Sequence, residues 1–145
     1  MSILIYVLCF ILQINTTTAL SFLRVTPGSS SFTAVIDGTA EFGRGACDAG
    51  DIDNNGVRDL AIGAPASAIS AVDYGALYIL FLDGDHSVMS FQIIAAGDIG
   101  GFGEAETYSL GHDAMSTGDL DEDGRYGKYI YTSFSSIHRL YFIFK

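Results

Sequence analysis

Residues 51–65 read DIDNNGVRDLAIGAP, and the spacing of their oxygen-bearing side chains decides the fold. Asp51, Asp53 and Asn55 occupy alternate positions, Gly56 follows, and Asp59 closes a nine-residue loop. Alternate residues of a tight loop face the same way, so these side-chain oxygens converge on one point. Glycine at the sixth position permits a sharp turn with φ > 0, and the backbone carbonyl of Val57 then points inward. An all-oxygen shell suits calcium, a hard cation that takes about 6–8 oxygens. An EF-hand with the same opening requires a bidentate Glu at position twelve and flanking helices. Position twelve here is Ile62, inside the apolar run Asp59–Ala64 that Pro65 ends. Such a run is a buried strand with its terminator, so the loop belongs to a β-structure. The alternative is an Asx-rich turn without metal, because Asp and Asn favour turns anyway. Against it, the crowded carboxylates would repel one another, and Arg58, the nearest cation in sequence, points away if position eight faces outward.

The loop occurs twice. Residues 42–56 lie over residues 110–124 at a constant offset of 68, which carries Asp51 onto Asp119. Gly43, Ala46, Gly50, Asp51, Asp53 and Gly56 recur as Gly111, Ala114, Gly118, Asp119, Asp121 and Gly124, and Asn55 becomes Asp123. Self-similarity at a fixed period marks a repeat architecture. In the second copy Asp119, Asp121 and Asp123 keep the first three ligand positions, but Gly127 stands where Asp59 would be. That loop is expected to hold calcium more weakly.

Around the loops the chain reads as all-β. Gly75–Leu82 (GALYILFL) and Ser90–Ala95 (SFQIIA) are short runs rich in β-branched and aromatic residues, ended by Asp83-Gly84-Asp85 and Gly97-Asp98. No helical period interrupts them. Residues 31–36 before Asp37-Gly38 imitate residues 90–95, so residues 20–41 are expected to carry the outer strand of a preceding unit. Arg139–Phe144 reads as a strand similar to Ala76–Phe81. About four strands per unit makes a propeller blade.

Phe42-Gly43, the loop DIDNNGVRD, then Gly63-Ala64-Pro65 and Gly75–Leu80 together resemble the FG-GAP repeat of integrin α-chain propellers and related secreted proteins. The first copy matches nearly end to end, from Phe42 to Leu82. The second has Leu110 for Phe and Tyr131-Thr132-Ser133 where Gly-Ala-Pro would stand. The resemblance implies a partial β-propeller of about two four-stranded blades, with residues 42–98 as the first repeat and 99–145 as a degenerate or truncated second. It also implies calcium in hairpin loops, held by Asp51, Asp53, Asn55, Asp59 and the Val57 carbonyl. The implied role is recognition of an extracellular protein or glycan in adhesion, without enzymatic activity. FG-GAP repeats also occur beside phospholipase-like domains, so a non-catalytic propeller fragment of a secreted hydrolase is the other reading, and a decayed gene product with no stable fold is a third. Two blades fall short of the roughly three units a repeat array needs. The chain is therefore a fragment, a truncated copy, or a subunit completed by self-association.

Residues 1–19 differ from the rest. Ile3–Leu12 is an unbroken apolar run followed by polar residues and then Thr17 and Ala19. It is too short for a transmembrane helix, which needs ~20 residues, and fits a signal peptide cleaved after Ala19, although no Lys or Arg precedes it. A buried N-terminal strand is the competing reading. Export predicts a secreted product with no membrane insertion. The chain holds 17 Asp+Glu against 7 Lys+Arg, a formal charge of −10, which repels nucleic acid. Cys9 falls in the leader, leaving Cys47 without an internal disulfide partner. His86, His112 and His138 share no metal spacing. Gly28–Ser31 lacks the closing glycine of a nucleophile elbow, and Gly43-x-Gly45 lacks the third glycine of a dinucleotide loop. The glycine-rich stretch 97–108 is the best sequence candidate for a ligand loop.

Overall fold

A computed structural model of the chain describes residues 25–26, 28, 31–69, 75–95, 98, 110–116, 130–133 and 138–139. They form seven strands: β1 (Ala46–Gly50), β2 (Asp59–Ala64), β3 (Ala76–Leu82), β4 (Val88–Ala95), β5 (Asp113–Ser116), β6 (Ile130–Ser133) and β7 (His138–Arg139). β1 to β4 make one antiparallel sheet in chain order, and β5 to β7 make a second, three-stranded one. Among the described residues there is no α-helix, as the all-β reading requires. Residues 1–19, most of the segment 97–108 and residues 119–124 lie outside the described residues.

The registers explain why β2 and β3 read as unbroken apolar runs. Side chains alternate across a sheet, and here both faces are buried. Leu60, Ile62 and Ala64 pair with Leu80, Tyr78 and Ala76, and all six join one core with Phe42, Phe32 and Leu82. Ala61, Leu77 and Ile79 face the other way, into a second core with Ala49 and Ile94, against which Ala114 of β5 packs. A sheet with one wet face would show polar residues at every second position. β4 is closer to that pattern, with Met89, Ser90 and Gln92 exposed.

The upstream segment covers the first face. Phe32 and Ala34 are buried while Thr33 and Val35 are exposed, a strand-like alternation outside any named strand. The Phe32 ring stacks on Phe42 at 5.7 Å and meets Tyr78 and Phe91 edge-on at 6.2 and 5.2 Å. Such aromatic pairs add to stability beyond the area they bury.

The two sheets meet along glycines. Gly75 bridges Leu110 in parallel, and Leu110 is fully buried. A Cβ added at Gly63 would lie 1.9 Å from the Gly111 carbonyl oxygen, and one at Gly45 would lie 2.6 Å from the Ala114 nitrogen. Gly43 and Gly111, matched by the repeat, have φ of 91° and 87°, so the two copies share a backbone conformation where the sequence relates them.

The gapless alignment does not extend past the second loop. β1 pairs Ala46 with Ile62, whereas β5 pairs Ala114 with Thr132. Thr132 thus corresponds to Ile62 at an offset of 70, and Ser133, not Tyr131, takes the place of Gly63. The second hairpin is two residues longer than the first. Gly127 lies outside the described residues. Pairing of Thr132 with Arg139 likewise puts Arg139 in the place of Tyr78 and not of Ala76; of the expected strand Arg139–Phe144, only Arg139 is described.

Candidate metal centre

The loop of residues 51–58 joins β1 to β2, which pair antiparallel as a hairpin. Its entry is a bulge: the register shifts between Asp48 and Gly50, so that Gly50, with φ 75°, pairs with Asp59. The turn is made by Asn54 at φ 61° and Gly56 at φ 88°. Gly56 was expected there; Asn54 uses the tolerance of asparagine for the left-handed region.

The carboxylates organise the loop from within. Asp51 accepts hydrogen bonds from the Asn55 and Gly56 amides, each at 2.9 Å, one on each oxygen. Asp53 Oδ1 accepts the Asn55 amide at 3.2 Å, and Asn55 Nδ2 donates to Asp53 Oδ2 at 3.2 Å. The Val57 amide donates to Asn55 Oδ1 at 2.7 Å, and the Val57 side chain packs against the first core. These Asx-turn bonds curl the chain as a tight loop requires, and an sp² oxygen that accepts one hydrogen bond retains a second lone pair.

Asp59 differs from its neighbours because it is fully buried. Its Oδ2 accepts the Ile52 amide at 2.8 Å and its Oδ1 the Leu82 amide at 3.0 Å. Burial raises its pKa; the Leu82 and Ile52 amides oppose that shift, and the negative charges of Asp53 and Asp51 reinforce it. Burial outweighs the two amides, so this carboxyl holds its proton more strongly than an ordinary aspartate.

Asp51, Asp53 and Asp59 each present a carboxylate oxygen, and these oxygens lie within 4.8 Å of one another. The three are half-buried, exposed and buried respectively. A set of hard oxygens with one buried anchor fits a hard divalent cation, whose charge would relieve their mutual repulsion. Arg58 forms an ion pair with Asp48 (Nε–Oδ2 2.6 Å). The fold thus brings together three of the sequence-nominated acids and ties Asn55 to them. Asp119, Asp121 and Asp123 lie outside the described residues.

Other reactive groups are quiet. Cys47 is half-buried, and its thiol pKa is pushed up to about 12, chiefly by burial and then by Asp48, which disfavours the reactive thiolate. His112 Nδ1 lies 3.4 Å from its neighbour Asp113, and His86 sits in a turn at φ 64°. Among the described residues no helix is long and apolar enough to cross a membrane. No known family model and no curated protein matches the chain, so a functional reading rests on its own residues. What the sequence missed is Leu82, an apolar strand residue that meets the loop through its backbone N–H and C=O.

Proposed function

We propose that this chain is a calcium-binding module of the FG-GAP type, two blades of a secreted β-propeller that recognise an extracellular protein or glycan. The observation that carries the reading is the convergence of Asp51, Asp53 and Asp59 in the hairpin loop of an antiparallel four-stranded meander. Asn55 Oδ1 and the Val57 carbonyl would complete the shell, and the second loop would hold a further ion through Asp119, Asp121 and Asp123. Two features support blades rather than an isolated sheet. The central strands β2 and β3 are buried on both faces, as in a layer with neighbours on each side, and the second sheet docks through a residue pair, Leu110-Gly111, that the repeat relates to Phe42-Gly43.

The role of the ion is structural. It holds together carboxylates that would otherwise repel, and so stiffens one end of the sheet. The module acts by binding, and its chemistry includes no catalytic step. Affinities of extracellular calcium modules, roughly 10⁻⁴–10⁻³ M, suffice in that compartment. Calcium titration calorimetry on the full chain tests the reading: saturable heat from which Asp53→Ala removes the share of the 51–59 loop supports it, and no heat in the wild type refutes it.

A further inference from the structure

We infer that ion occupancy of the 51–59 loop is transmitted to the β3–β4 turn, residues 83–87, through the two peptide groups of Leu82, with Asn55 as the linking residue. The inference rests on the calcium reading of that loop and adds what the ion controls. Leu82 ends β3 and is held on both sides by the loop. Its amide donates to Asp59 Oδ1 at 3.0 Å, and its carbonyl accepts from Asn55 Nδ2 at 2.7 Å. Asn55 and Leu82 are 27 residues apart in sequence, and Asp59 and Leu82 are 23 apart. The β3–β4 ladder is irregular at this point: Phe81 pairs with Ser90 but Leu82 with Val88. Leu82 is thus secured by the loop where its own ladder is disturbed.

The turn starts at the next residue. Asp83 Oδ1 accepts the Asp85 and Ser87 amides at 3.2 and 3.1 Å, and the Asp83 carbonyl accepts the His86 amide at 2.8 Å. It exposes Gly84, Asp85 and His86. A cation drawing in Asp59 and the Asn55 carbonyl oxygen fixes the two groups that grip Leu82, and with it the root of the turn. In the empty loop, repulsion among Asp51, Asp53 and Asp59 loosens that grip.

Asparagine is the side chain this requires. Its Oδ1 can face an ion while its Nδ2 donates to Leu82. Aspartate, which Asp123 provides at the matching place in the second copy, supplies the ligand oxygen but no donor. Asn55→Asp therefore removes the donor to Leu82 while keeping an oxygen at the ligand position.

The experiment is amide hydrogen exchange on the full chain, with and without calcium, for wild type and Asn55→Asp, alongside calorimetric titration of both. In the wild type, calcium is expected to slow exchange at Leu82, His86 and Ser87 by about tenfold or more, as local opening becomes less favourable. With calcium raised to saturate each protein by its own titration, the ion should leave exchange at His86 and Ser87 unchanged in Asn55→Asp. Wild-type binding heat with no change in the turn overturns the coupling alone, and that arm needs no variant. Equal slowing in Asn55→Asp overturns the role of Asn55. An absence of wild-type heat overturns the calcium reading and this inference with it.

Discussion

Asp59 and Leu82, on adjacent strands and 23 residues apart, are joined by a hydrogen bond of 3.0 Å from the Leu82 amide to a fully buried carboxylate oxygen. The other oxygen takes the Ile52 amide at 2.8 Å, so one side chain closes the loop on itself and ties it to β3. Asp59→Ala would leave both amides unpaired, at about 1–3 kcal/mol for each buried group. The variant should lose roughly 2–4 kcal/mol even in chelator. Urea denaturation in EDTA measures it, and a loss under half a kcal/mol would show the bonds to be unimportant.

The same residue sets a pH dependence. Its folded pKa is raised above the ordinary carboxyl value, so the folded state retains the proton more strongly than the unfolded one. The metal-free protein then holds this contribution in full below the unfolded value of about 3.9 and loses it as pH rises through the folded value. Calcium reverses the trend, because the ion requires the carboxylate. Asp37 and Asp85 are shifted downward by hydrogen bonds and contribute with opposite sign. The quantity to measure is therefore the wild-type stability minus that of Asp59→Asn, in EDTA, across mildly acidic pH. It should fall as pH rises, and a rising difference would contradict the assignment.

Gly63 and Gly84 offer a matched pair. A Cβ at Gly63 would meet backbone of Gly111 at 1.9 Å, while at Gly84 nothing lies within 4 Å. Gly63→Ala should cost about 1–3 kcal/mol by forcing the sheets apart, and Gly84→Ala should stay within about 0.5 kcal/mol of wild type. Equal stabilities in thermal melts would mean that the two sheets do not pack along this seam.

Cys47 should resist alkylation in the folded protein. With its thiol pushed up to about 12, iodoacetamide at mildly alkaline pH should modify it far more slowly than in denaturant, as read by intact mass. Equal rates would show that burial does not protect it.

The apolar runs around Ile62 and Ile79 are legible because burial on both faces leaves no polar residue to break them, and Pro65 and Asp83-Gly84 mark where they stop. The loop is legible because alternate acids and a glycine at fixed spacing state their own geometry. The register of the second copy is not. Strand partners are chosen by hairpin length, and two extra residues between Ala114 and Thr132 leave no mark in the local pattern. Nor does anything in the sequence mark Leu82, whose part in the loop is played by its peptide group, or the packing of Phe32 on Phe42 and Tyr78, which depends on how the chain crosses the sheet.

Calorimetric titration of the intact chain with calcium, repeated on Asp53→Ala, decides whether the 51–59 loop grips an ion. The expected result is a saturable isotherm in the wild type, a stabilisation of about 2.7 kcal/mol for each site at a hundredfold excess over its Kd, and in the variant loss of the share that the 51–59 loop contributes to both. A flat wild-type titration, or a full isotherm surviving Asp53→Ala, would show that these carboxylates shape a turn and hold no metal.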